Sequence, residues 1–431
     1  MLRVPISYAK PGMVLALPVY HPRRPDTVLL SDGMELDARS IARLGEIELK
    51  ELWIRYPGVD FVREYICPSV FNAHAHLTRH IAQALEGASH AAPAKLEYTA
   101  YRAAIGALLD RLIANPRAAV FSQEIVGRGE PALAHASTVA FLSVLMGLKL
   151  DDYLILERSR LASYVARDVT SLGVGAMLHD IGMLRLPPEV IERWNRTQDE
   201  SCEAWRSHVQ IGYELVKEAI GPSAAAGVLH HHQKFDGTGF PARVRTDGAG
   251  NAIHESLAGS DIHVFARIIA AADVFDRLRH PPSAPGRDDT VPVVRVLRQM
   301  QHRPYADWID PMVYLALLSV VPAYLPGSMV TLSNGQNAVV TEWFPDDPCR
   351  PTVQTIGDPR VDFANESRRS ERFILRERTD LAIIRAEGQD VAQDNFYPSN
   401  PGEFDLKLAG RLLHNAASPR LAPPEDLQRA G

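Results

Sequence analysis

The sequence predicts a mainly α-helical fold, in which a helical domain is flanked by a small N-terminal α+β module and a small C-terminal β module. Three observations support this prediction. Apolar residues recur at three- and four-residue spacing between about residues 98 and 325. Short apolar runs punctuated by Pro-Gly and Asp-Gly precede this region. Two further short runs, separated by Asn334-Gly335, follow it and predict a β-hairpin.

These patterns divide the 431 residues into five parts. In the first part, VLALPVYH and TVLLSDGMEL predict strands, ARSIARLGEIEL a short helix and ELWIRY a further strand. The last part is polar and contains proline, which favours a flexible tail. The predicted parts are an accessory α+β domain at 1–62, a helical linker at 63–97, the helical domain at 98–325, a β extension at 326–385 and the tail at 386–431.

Charge and composition limit the function classes. The formal net charge is −6 and the isoelectric point is about 6.2, whereas a dedicated nucleic-acid binder shows a basic face. A small phosphate substrate stays compatible with this charge, because a bound metal ion supplies local positive charge. We therefore expect no nucleic-acid polymer as a partner.

Cysteine usage and hydropathy predict a cytoplasmic protein. Cys67, Cys202 and Cys349 are far apart and odd in number, which favours a reducing compartment over a disulfide framework. The first residues lack the basic start and apolar stretch of a signal peptide. The apolar segment from Met312 to Tyr324 is too short to span a bilayer, so we expect no membrane span.

Histidines and aspartates fall at helix ends and inside apolar helices. His179-Asp180 closes one apolar helix, and His231-His232 closes another just before a glycine-rich loop. Neutral imidazoles beside carboxylates suit a divalent metal ion, although histidines at a helix C-terminus also fit a simple interaction with the helix dipole. Asp273 interrupts the apolar run IIAAADVF. Burial there would be costly without a metal or cationic partner, while a solvent-facing position stays an alternative.

Six segments in a fixed order resemble the HD-GYP family of phosphohydrolases. The resemblance spans about residues 98 to 325. Its usual activity is hydrolysis of cyclic di-GMP, and its N-terminal accessory domain is similar to PGMVLALPVY and the residues that follow. The segments are AHASTVAFLS, LHDIGMLRLPPEVI, SHVQIGYEL, HHHQKFDGTGFP, ARIIAAADVFDRL and WIDPMV.

The resemblance implies a centre of two divalent metal ions, iron or manganese. Asp180 would bridge the two ions and, with His179, would form the catalytic pair. One ion would also take His135, His179 and Asp273. The other would take the remaining ligands, which are His208, His231 and His232.

The chain departs from the family pattern on the substrate side. Met183 stands where the family has a lysine, and Gln233 and Phe240 replace a glutamate and a tyrosine. Pro131 occupies the position from which some members hold a third metal ion, which is why two ions are expected. The basic segment that follows the family's last aspartate is also absent. The residues left as substrate-binding candidates are Arg185, Asp236, Gly239, Phe240 and Arg277.

The leading hypothesis is a metal-dependent phosphodiesterase that opens cyclic di-GMP through a hydroxide activated by two metal ions, with reduced activity. The alternative is a non-catalytic, metal-containing signalling or scaffold protein. Such a protein would bind cyclic di-GMP, or diguanylate cyclase partners through the loop that contains Phe240. A phosphohydrolase acting on another nucleotide is a third hypothesis, and a homodimer is a further possible assembly.

Overall fold

The computed structural model describes residues 1–21, 24–47, 49, 51–90, 96–117, 130–246, 252–282, 290–362 and 370–396. A helical bundle occupies the middle of the chain, and strand-containing regions lie before and after it. The predicted mainly α class is therefore confirmed.

The helices of the described residues begin outside the bundle with α1 and end in the C-terminal region with α16. Short 3₁₀ helices lie at Asp60–Tyr65 and Ile181–Arg185. The α-helices are α1 (Ala38–Glu46), α2 (Pro68–His90), α3 (Tyr98–Ala114), α4 (Pro131–Lys149), α5 (Asp151–Glu157), α6 (Ser163–Ala166), α7 (Thr170–Met177), α8 (Pro188–Thr197), α9 (Glu203–Arg206), α10 (His208–Val216), α11 (Pro222–His230), α12 (Val264–Arg279), α13 (Val293–Met300), α14 (Tyr305–Trp308), α15 (Pro311–Leu318) and α16 (Pro359–Asp362).

The strands of the described residues form one six-stranded sheet and three two-stranded ones. The large sheet has the order β10-β9-β8-β7-β11-β12, and the small sheets are β1-β4, β2-β3 and β5-β6. The strands are β1 (Leu2–Pro5), β2 (Val19–His21), β3 (Arg24–Leu30), β4 (Glu51–Ile54), β5 (Arg243–Thr246), β6 (Ala252–Glu255), β7 (Met329–Leu332), β8 (Asn337–Glu342), β9 (Thr352–Thr355), β10 (Arg372–Ile374), β11 (Ile383–Ala386) and β12 (Gln389–Asp390).

Helix α4 is the centre of the bundle. It packs against α2, α7, α12 and α15. Its start is favoured by Pro131 at the first helical position and by the Glu130 carboxylate, which accepts hydrogen bonds from the amides of Ala132 and Leu133. By length and composition alone α4 could cross a membrane, but 61% of its most apolar window is buried inside the structure. Such burial is typical of a core helix.

The two strand-containing regions contact each other. The amide of Arg3 in β1 donates to the carbonyl of Gly327, with an N–O distance of 2.8 Å. Val339 of β8 is fully buried in the apolar core of the N-terminal region. The apolar core of the bundle likewise continues into β7, β8 and β11, because Val330, Val340 and Ile383 belong to it. The flanks are therefore packed onto the bundle and onto each other.

Several local predictions were wrong. Strand β1 was not predicted, although it pairs antiparallel with β4. The helical spacing of SCEAWRSHVQIGYELVKEAI predicts one helix from Ser201 to Ile220, but the structure splits it at Ser207 into α9 and α10. The predicted loop after Phe240 contains the β5-β6 hairpin, all of whose β6 residues are exposed. A strand pair without a buried face lacks the alternation of apolar and polar residues that predicts strands.

The predicted start of a flexible tail at residue 386 was too early. Ala386 ends β11, β12 follows it, and the chain stays packed as far as Phe396, whose side chain is buried. The Asn395 side chain accepts a hydrogen bond from the Tyr324 hydroxyl at 2.7 Å. Polar composition suggested flexibility there, whereas these tertiary contacts order the segment. The rest of the predicted tail, 397–431, lies outside the described residues.

Gly182 brings two functional segments into backbone contact. A Cβ atom at this position would lie 2.0 Å from the carbonyl oxygen of His208 and 2.6 Å from the amide nitrogen of Gly212. We therefore expect Gly182→Ala to lower the free energy of unfolding by about 3 kcal/mol, because neither backbone can move away easily. Urea denaturation followed by circular dichroism measures this change.

Gly106 in α3 is the matched control, because a Cβ added there meets nothing within 4 Å. Gly106→Ala should leave stability unchanged or raise it by about 0.5–1 kcal/mol, through the lower conformational entropy of the unfolded chain. Equal stability changes in the two variants would contradict the contact at Gly182.

Candidate metal centre

The ends of four helices and the middle of a fifth supply the seven predicted metal ligands. His135 lies in the second turn of α4, and His179-Asp180 follows Leu178, the residue after the end of α7. His208 is the first residue of α10, and His231-His232 follows α11. Asp273 lies in the buried interior of α12. The structure brings all seven into one region of the bundle.

The Asp180 carboxylate lies between two pairs of imidazoles. Its Oδ2 atom is 3.4 Å from Nε2 of His179 and 3.7 Å from Nε2 of His135. Its Oδ1 atom is 3.4 Å from Nε2 of His208 and 3.5 Å from Nε2 of His231. Each oxygen thus faces a separate pair of nitrogen donors, which is the arrangement that a carboxylate shared between two metal ions requires.

Three of the imidazoles are oriented by the backbone carbonyl three residues before them. Nδ1 of His179 is 2.8 Å from the carbonyl oxygen of Ala176, and Nδ1 of His208 is 2.6 Å from that of Trp205. Nδ1 of His231 is 2.8 Å from the carbonyl oxygen of Val228. A carbonyl oxygen can only accept a hydrogen bond, so Nδ1 carries the hydrogen in each of these rings. Nε2 therefore keeps its lone pair, with which it can bind a metal ion.

His135 is held differently, between two carboxylates of α12. Its Nδ1 is 2.7 Å from Oδ2 of Asp276, and its Nε2 is 3.3 Å from Oδ1 of Asp273. Burial opposes protonation of this imidazole, but the hydrogen bonds with Asp273 and Asp276 outweigh it and raise the pKa of His135 to about 10. Without a metal ion, His135 therefore carries a proton that an ion would replace.

The other shifts leave the remaining donors ready to bind a cation. Burial lowers the pKa of His179 to about 4 and holds that of His232 well below its usual value. Burial alone would raise the pKa of Asp180, but the facing His179, His208 and His231 imidazoles hold it well below the ordinary carboxyl range. The centre thus presents an ionised Asp180 carboxylate beside the neutral imidazoles of His179 and His232.

The donor set fits two ions. Two groups have donor atoms that all lie within 4.8 Å of one another, and they share Asp180: one includes His135 and His179, the other His208, His231 and His232. The buried Nε2 of His232 has no hydrogen-bond partner among the described residues. A buried nitrogen without a partner is costly unless a ligand completes it.

The second carboxylate oxygen of Asp273 lies against an arginine of the same helix. The Asp273 side chain is 3% exposed, and Oδ2 lies 2.7 Å from a guanidinium nitrogen of Arg277, one helical turn further along α12. A second guanidinium nitrogen of Arg277 lies 2.9 Å from Oε1 of Glu200, whose Oε2 lies 3.0 Å from Nζ of Lys234. Arg277, a predicted substrate residue, is therefore at the edge of the centre, beside a second cation that the sequence analysis did not single out.

An aromatic wall backs the second group of imidazoles. Trp205 is 2% exposed, and its ring centroid lies 4.8 Å from that of His208 and 4.9 Å from that of His232. Phe240 stacks on His232 at 4.9 Å, and its own ring is 8% exposed. The partly buried Met183 packs against the cluster that contains these rings. The lysine position of the family is thus filled here by an apolar contact.

The other predicted substrate residues lie near the loop between α11 and β5 or in the 3₁₀ helix. Asp236 is exposed and accepts hydrogen bonds from the amide and hydroxyl of Thr238, which fixes the turn. A Cβ on Gly239 would lie 2.3 Å from the amide nitrogen of Lys234, so this glycine allows a close backbone approach. Arg185 is half-buried at the end of Ile181–Arg185. Their substrate roles stay predictions.

Three residues of the site were not predicted from the sequence: Asp276, Glu200 and Lys234. Asp276 lies three residues after Asp273 on a helix, where the two carboxylates share a face, so the spacing carried a signal. Glu200 lies in the connection between α8 and α9, where no periodicity indicates which way a side chain points. Its contact with α12 arises from the fold.

Residues 157–313 match the family described as the HD domain. This chain contains an HD domain. The match includes His179-Asp180 and four further predicted ligands, which are His208, His231, His232 and Asp273. His135, on α4, lies before it.

Two curated proteins and one solved structure are similar to this chain. Over 180 residues the chain is 29% identical to a cyclic di-GMP phosphodiesterase of Pseudomonas aeruginosa, a match of 40% of this chain and 38% of that protein. Over 104 residues it is 31% identical to a 3'3'-cGAMP-specific phosphodiesterase of Vibrio cholerae, a match of 23% of this chain and 17% of that protein. A solved structure described as an HDG"Y"P protein from Bdellovibrio bacteriovorus aligns with a TM-score of 0.41 and 15% identity, over 73% of this chain and 97% of that one.

The sequence matches confirm the resemblance to the HD-GYP type and support a metal-dependent phosphohydrolase. Because they span well under half of the length of both phosphodiesterases, they do not extend to the activity of the whole protein.

The raised pKa of His135 gives a testable pH dependence. Its pKa is about 10, so at pH 8 the ring is protonated in the metal-free protein and must lose a proton to bind an ion. We expect Mn²⁺ binding at pH 8 to release about one proton from His135 and to tighten about tenfold per pH unit as the pH rises toward that pKa. Titration calorimetry in two buffers of different ionisation enthalpy measures the release.

Asp276→Asn removes one of the two carboxylates that hold this proton. It should reduce the proton release and weaken Mn²⁺ binding by about 10- to 100-fold, as expected for the loss of a partner behind a metal ligand. Asp261→Asn, at an exposed position in a short 3₁₀ helix, is the control. Unchanged proton release in Asp276→Asn would show that the pKa of His135 has another cause.

Proposed function

We propose that this protein is a metal-dependent phosphodiesterase that hydrolyses cyclic di-GMP or a closely related cyclic dinucleotide. The observation that carries the proposal is the Asp180 carboxylate, each oxygen of which faces its own pair of imidazoles. The two phosphodiesterases that match this chain support the substrate class, since one acts on cyclic di-GMP and the other on 3'3'-cGAMP. Cyclic di-GMP is preferred because a longer part of the chain matches the relative with that substrate.

The residues of the centre would each have a defined task. Two divalent ions, when bound, would supply an activated water and neutralise charge on the phosphodiester oxygens. Asp180 would set the spacing of the two ions, while the carbonyl contacts of His179, His208 and His231 fix their ring orientations. Trp205 and Phe240 would exclude bulk water from the side of His208 and His232.

The cations at the edge of the centre are the proposed phosphate contacts. Met183 cannot provide a charge, and it is packed in an apolar cluster. Arg277 and Lys234 both lie against the Glu200 carboxylate, so two positive groups already share one anion at this place. A substrate phosphate would be the second anion that the pair can receive. We therefore assign the phosphate contact to Arg277 and Lys234, in place of the lysine that the family has at the position of Met183.

The finer points of assembly stay proposals. Several predictions stay predictions: partner binding through the Phe240 loop, association with diguanylate cyclase domains, a homodimer, and iron or manganese as the metal. The cytoplasmic location stays a prediction from cysteine usage and hydropathy. The inward position of the Phe240 ring supports a role in packing the centre.

A turnover assay tests the function. The full chain, loaded with Mn²⁺ or with Fe²⁺ under anaerobic conditions, would be given cyclic di-GMP, 3'3'-cGAMP and a panel of linear nucleotides. We expect hydrolysis of a cyclic dinucleotide and little turnover of the others. A fully loaded protein that binds cyclic di-GMP but turns over no nucleotide would sink the proposal and favour the scaffold alternative.

Asp180→Asn should abolish turnover, because an amide offers one neutral acceptor where the centre requires a shared anion. We expect a loss of about 10³-fold or more in kcat, the scale of removing a residue that acts on the reacting group, together with a loss of bound metal. Asp152→Asn, at an exposed position in α5, is the matched control and should keep full activity. Retained activity in Asp180→Asn would remove the basis of the proposal.

Arg277→Gln should raise KM for the cyclic dinucleotide and lower kcat/KM by about 10- to 100-fold, the equivalent of about 1.5–3 kcal/mol for one charge-assisted hydrogen bond. Metal content should stay near the wild-type value if Arg277 acts on the substrate. Arg193→Gln, which removes an exposed ion pair with Asp199, is the control and should change neither quantity. A parallel fall of metal content and activity in Arg277→Gln would instead assign Arg277 to holding Asp273.

A further inference from the structure

A cavity of about 630 Å³ lies where the three parts of the chain meet, away from the metal ligands. Its walls come from the 3₁₀ helix Asp60–Tyr65, from the C-terminal ends of α3 and α4, from the residues after α15 and from the strands β8 and β10 with the residues after β8. Cavities of roughly 300–1,000 Å³ are typical of small-molecule sites, which occur preferentially where domains meet.

One side of this cavity is apolar and aromatic. Phe61 lies on the N-terminal side, Leu148 and Val320 belong to the bundle, and Trp343 and Phe344 follow β8. Rings from two different parts of the chain thus face the same space. Such a lining binds a flat or flexible apolar body by removing its surface from water.

The other side of the cavity is positively charged. Among the described residues, its lining includes the cations Arg117, Lys149 and Arg372 and one carboxylate, that of Glu342. The carboxylate is 3.1 Å from Arg372, so it balances that cation. Lys149, at the end of α4, therefore offers its positive charge to the cavity. An anionic head group is the complement of this lining.

One apolar side chain at the cavity is unusually open. Ile113, at the end of α3, is 66% exposed although Leu112 beside it is 2% exposed. When the apolar body of a ligand covers this isoleucine, apolar surface is removed from water, and this favours binding. This position is also the best one to alter, because an exposed side chain contributes little to folding.

We propose that this cavity is a binding site for a small amphipathic anion, with an aromatic or aliphatic body and one carboxylate, sulfonate or phosphate group. The body would lie between Phe61 and Trp343, and the anionic group would face Lys149. The site is separate from the dinucleotide site, and it requires no turnover by the metal centre.

The test uses the full-length, metal-loaded protein and two fluorescent probes. The first is 8-anilinonaphthalene-1-sulfonate, an aromatic body with one anionic group. The second is N-phenyl-1-naphthylamine, which has the same ring system without the charge. We expect one equivalent of the sulfonate to bind with enhanced fluorescence, and the uncharged probe to bind about tenfold more weakly, a difference of about 1.4 kcal/mol.

Two variants with matched controls locate the binding. Ile113→Asp should weaken the sulfonate probe about tenfold, since it removes an apolar contact and adds a negative charge. Val361→Asp, at a valine that is 71% exposed elsewhere, controls for the substitution. Lys149→Gln should weaken the sulfonate probe about three- to fivefold and leave the uncharged probe unchanged, and Arg160→Gln, at another exposed cation, is its control.

Thermal unfolding of each variant shows whether it is folded when it is titrated. The proposal is overturned if Ile113→Asp binds the sulfonate as tightly as Val361→Asp does. It is also overturned if the uncharged probe binds as tightly as the sulfonate in the wild type. Neither measurement involves a nucleotide, so failure of the cavity proposal leaves the phosphodiesterase proposal untouched. Failure of the phosphodiesterase proposal likewise leaves the cavity proposal untouched.

Discussion

The structure depends on one carboxylate that faces two pairs of imidazoles. Asp180 is the group on which α4, α7, α10 and α11 converge, through His135, His179, His208 and His231. Three of these rings are fully buried, and each would be costly inside a core of leucine and valine without a partner for its second nitrogen. The backbone carbonyls supply one partner per ring. A bound cation between each Nε2 lone pair and the shared carboxylate would supply the other.

The close backbone packing of the bundle serves this convergence. Helices α7 and α10 bring His179-Asp180 and His208 together because Gly182 has no side chain to hold them apart. Gly175 and Gly227 act in a similar way between α7, α11 and α12, since a Cβ on either would lie 2.8 Å from an atom of the neighbouring helix. The small residues therefore place the ligands, although none of them has a functional group.

The ligands were the most predictable part of the chain, and the contacts behind them were the least. His179-Asp180, His231-His232 and Asp273 stand out because polar side chains interrupt apolar helical patterns, and a resemblance across six segments then ordered them. The contact of Glu200 with Arg277 joins a loop to a helix 77 positions later in the chain, and no local pattern encodes such a pair. The β5-β6 hairpin escaped prediction for a related reason, since both of its faces meet water over most of its length. Periodicity reports burial, so elements without a buried face carry no periodic signal.

The distribution of departures from the family pattern has a physical logic. All seven predicted ligands fit the family pattern, and the loss of any donor would leave a buried charge or a buried nitrogen unpaired. The substrate side can change by compensation, since a phosphate requires positive charge within reach and not a lysine at one position. Met183 joins an apolar cluster there, while Glu200 pairs with Arg277 on α12 and with Lys234 in the loop after α11. Under the proposed function, this carboxylate would compete with a phosphate for the same two cations, and substrate affinity would depend on a residue outside the family motifs. Helix α4, which carries His135, ends at Lys149, on the wall of the cavity where the three parts of the chain meet. A ligand in that cavity would therefore contact the helix that orients one side of the metal centre.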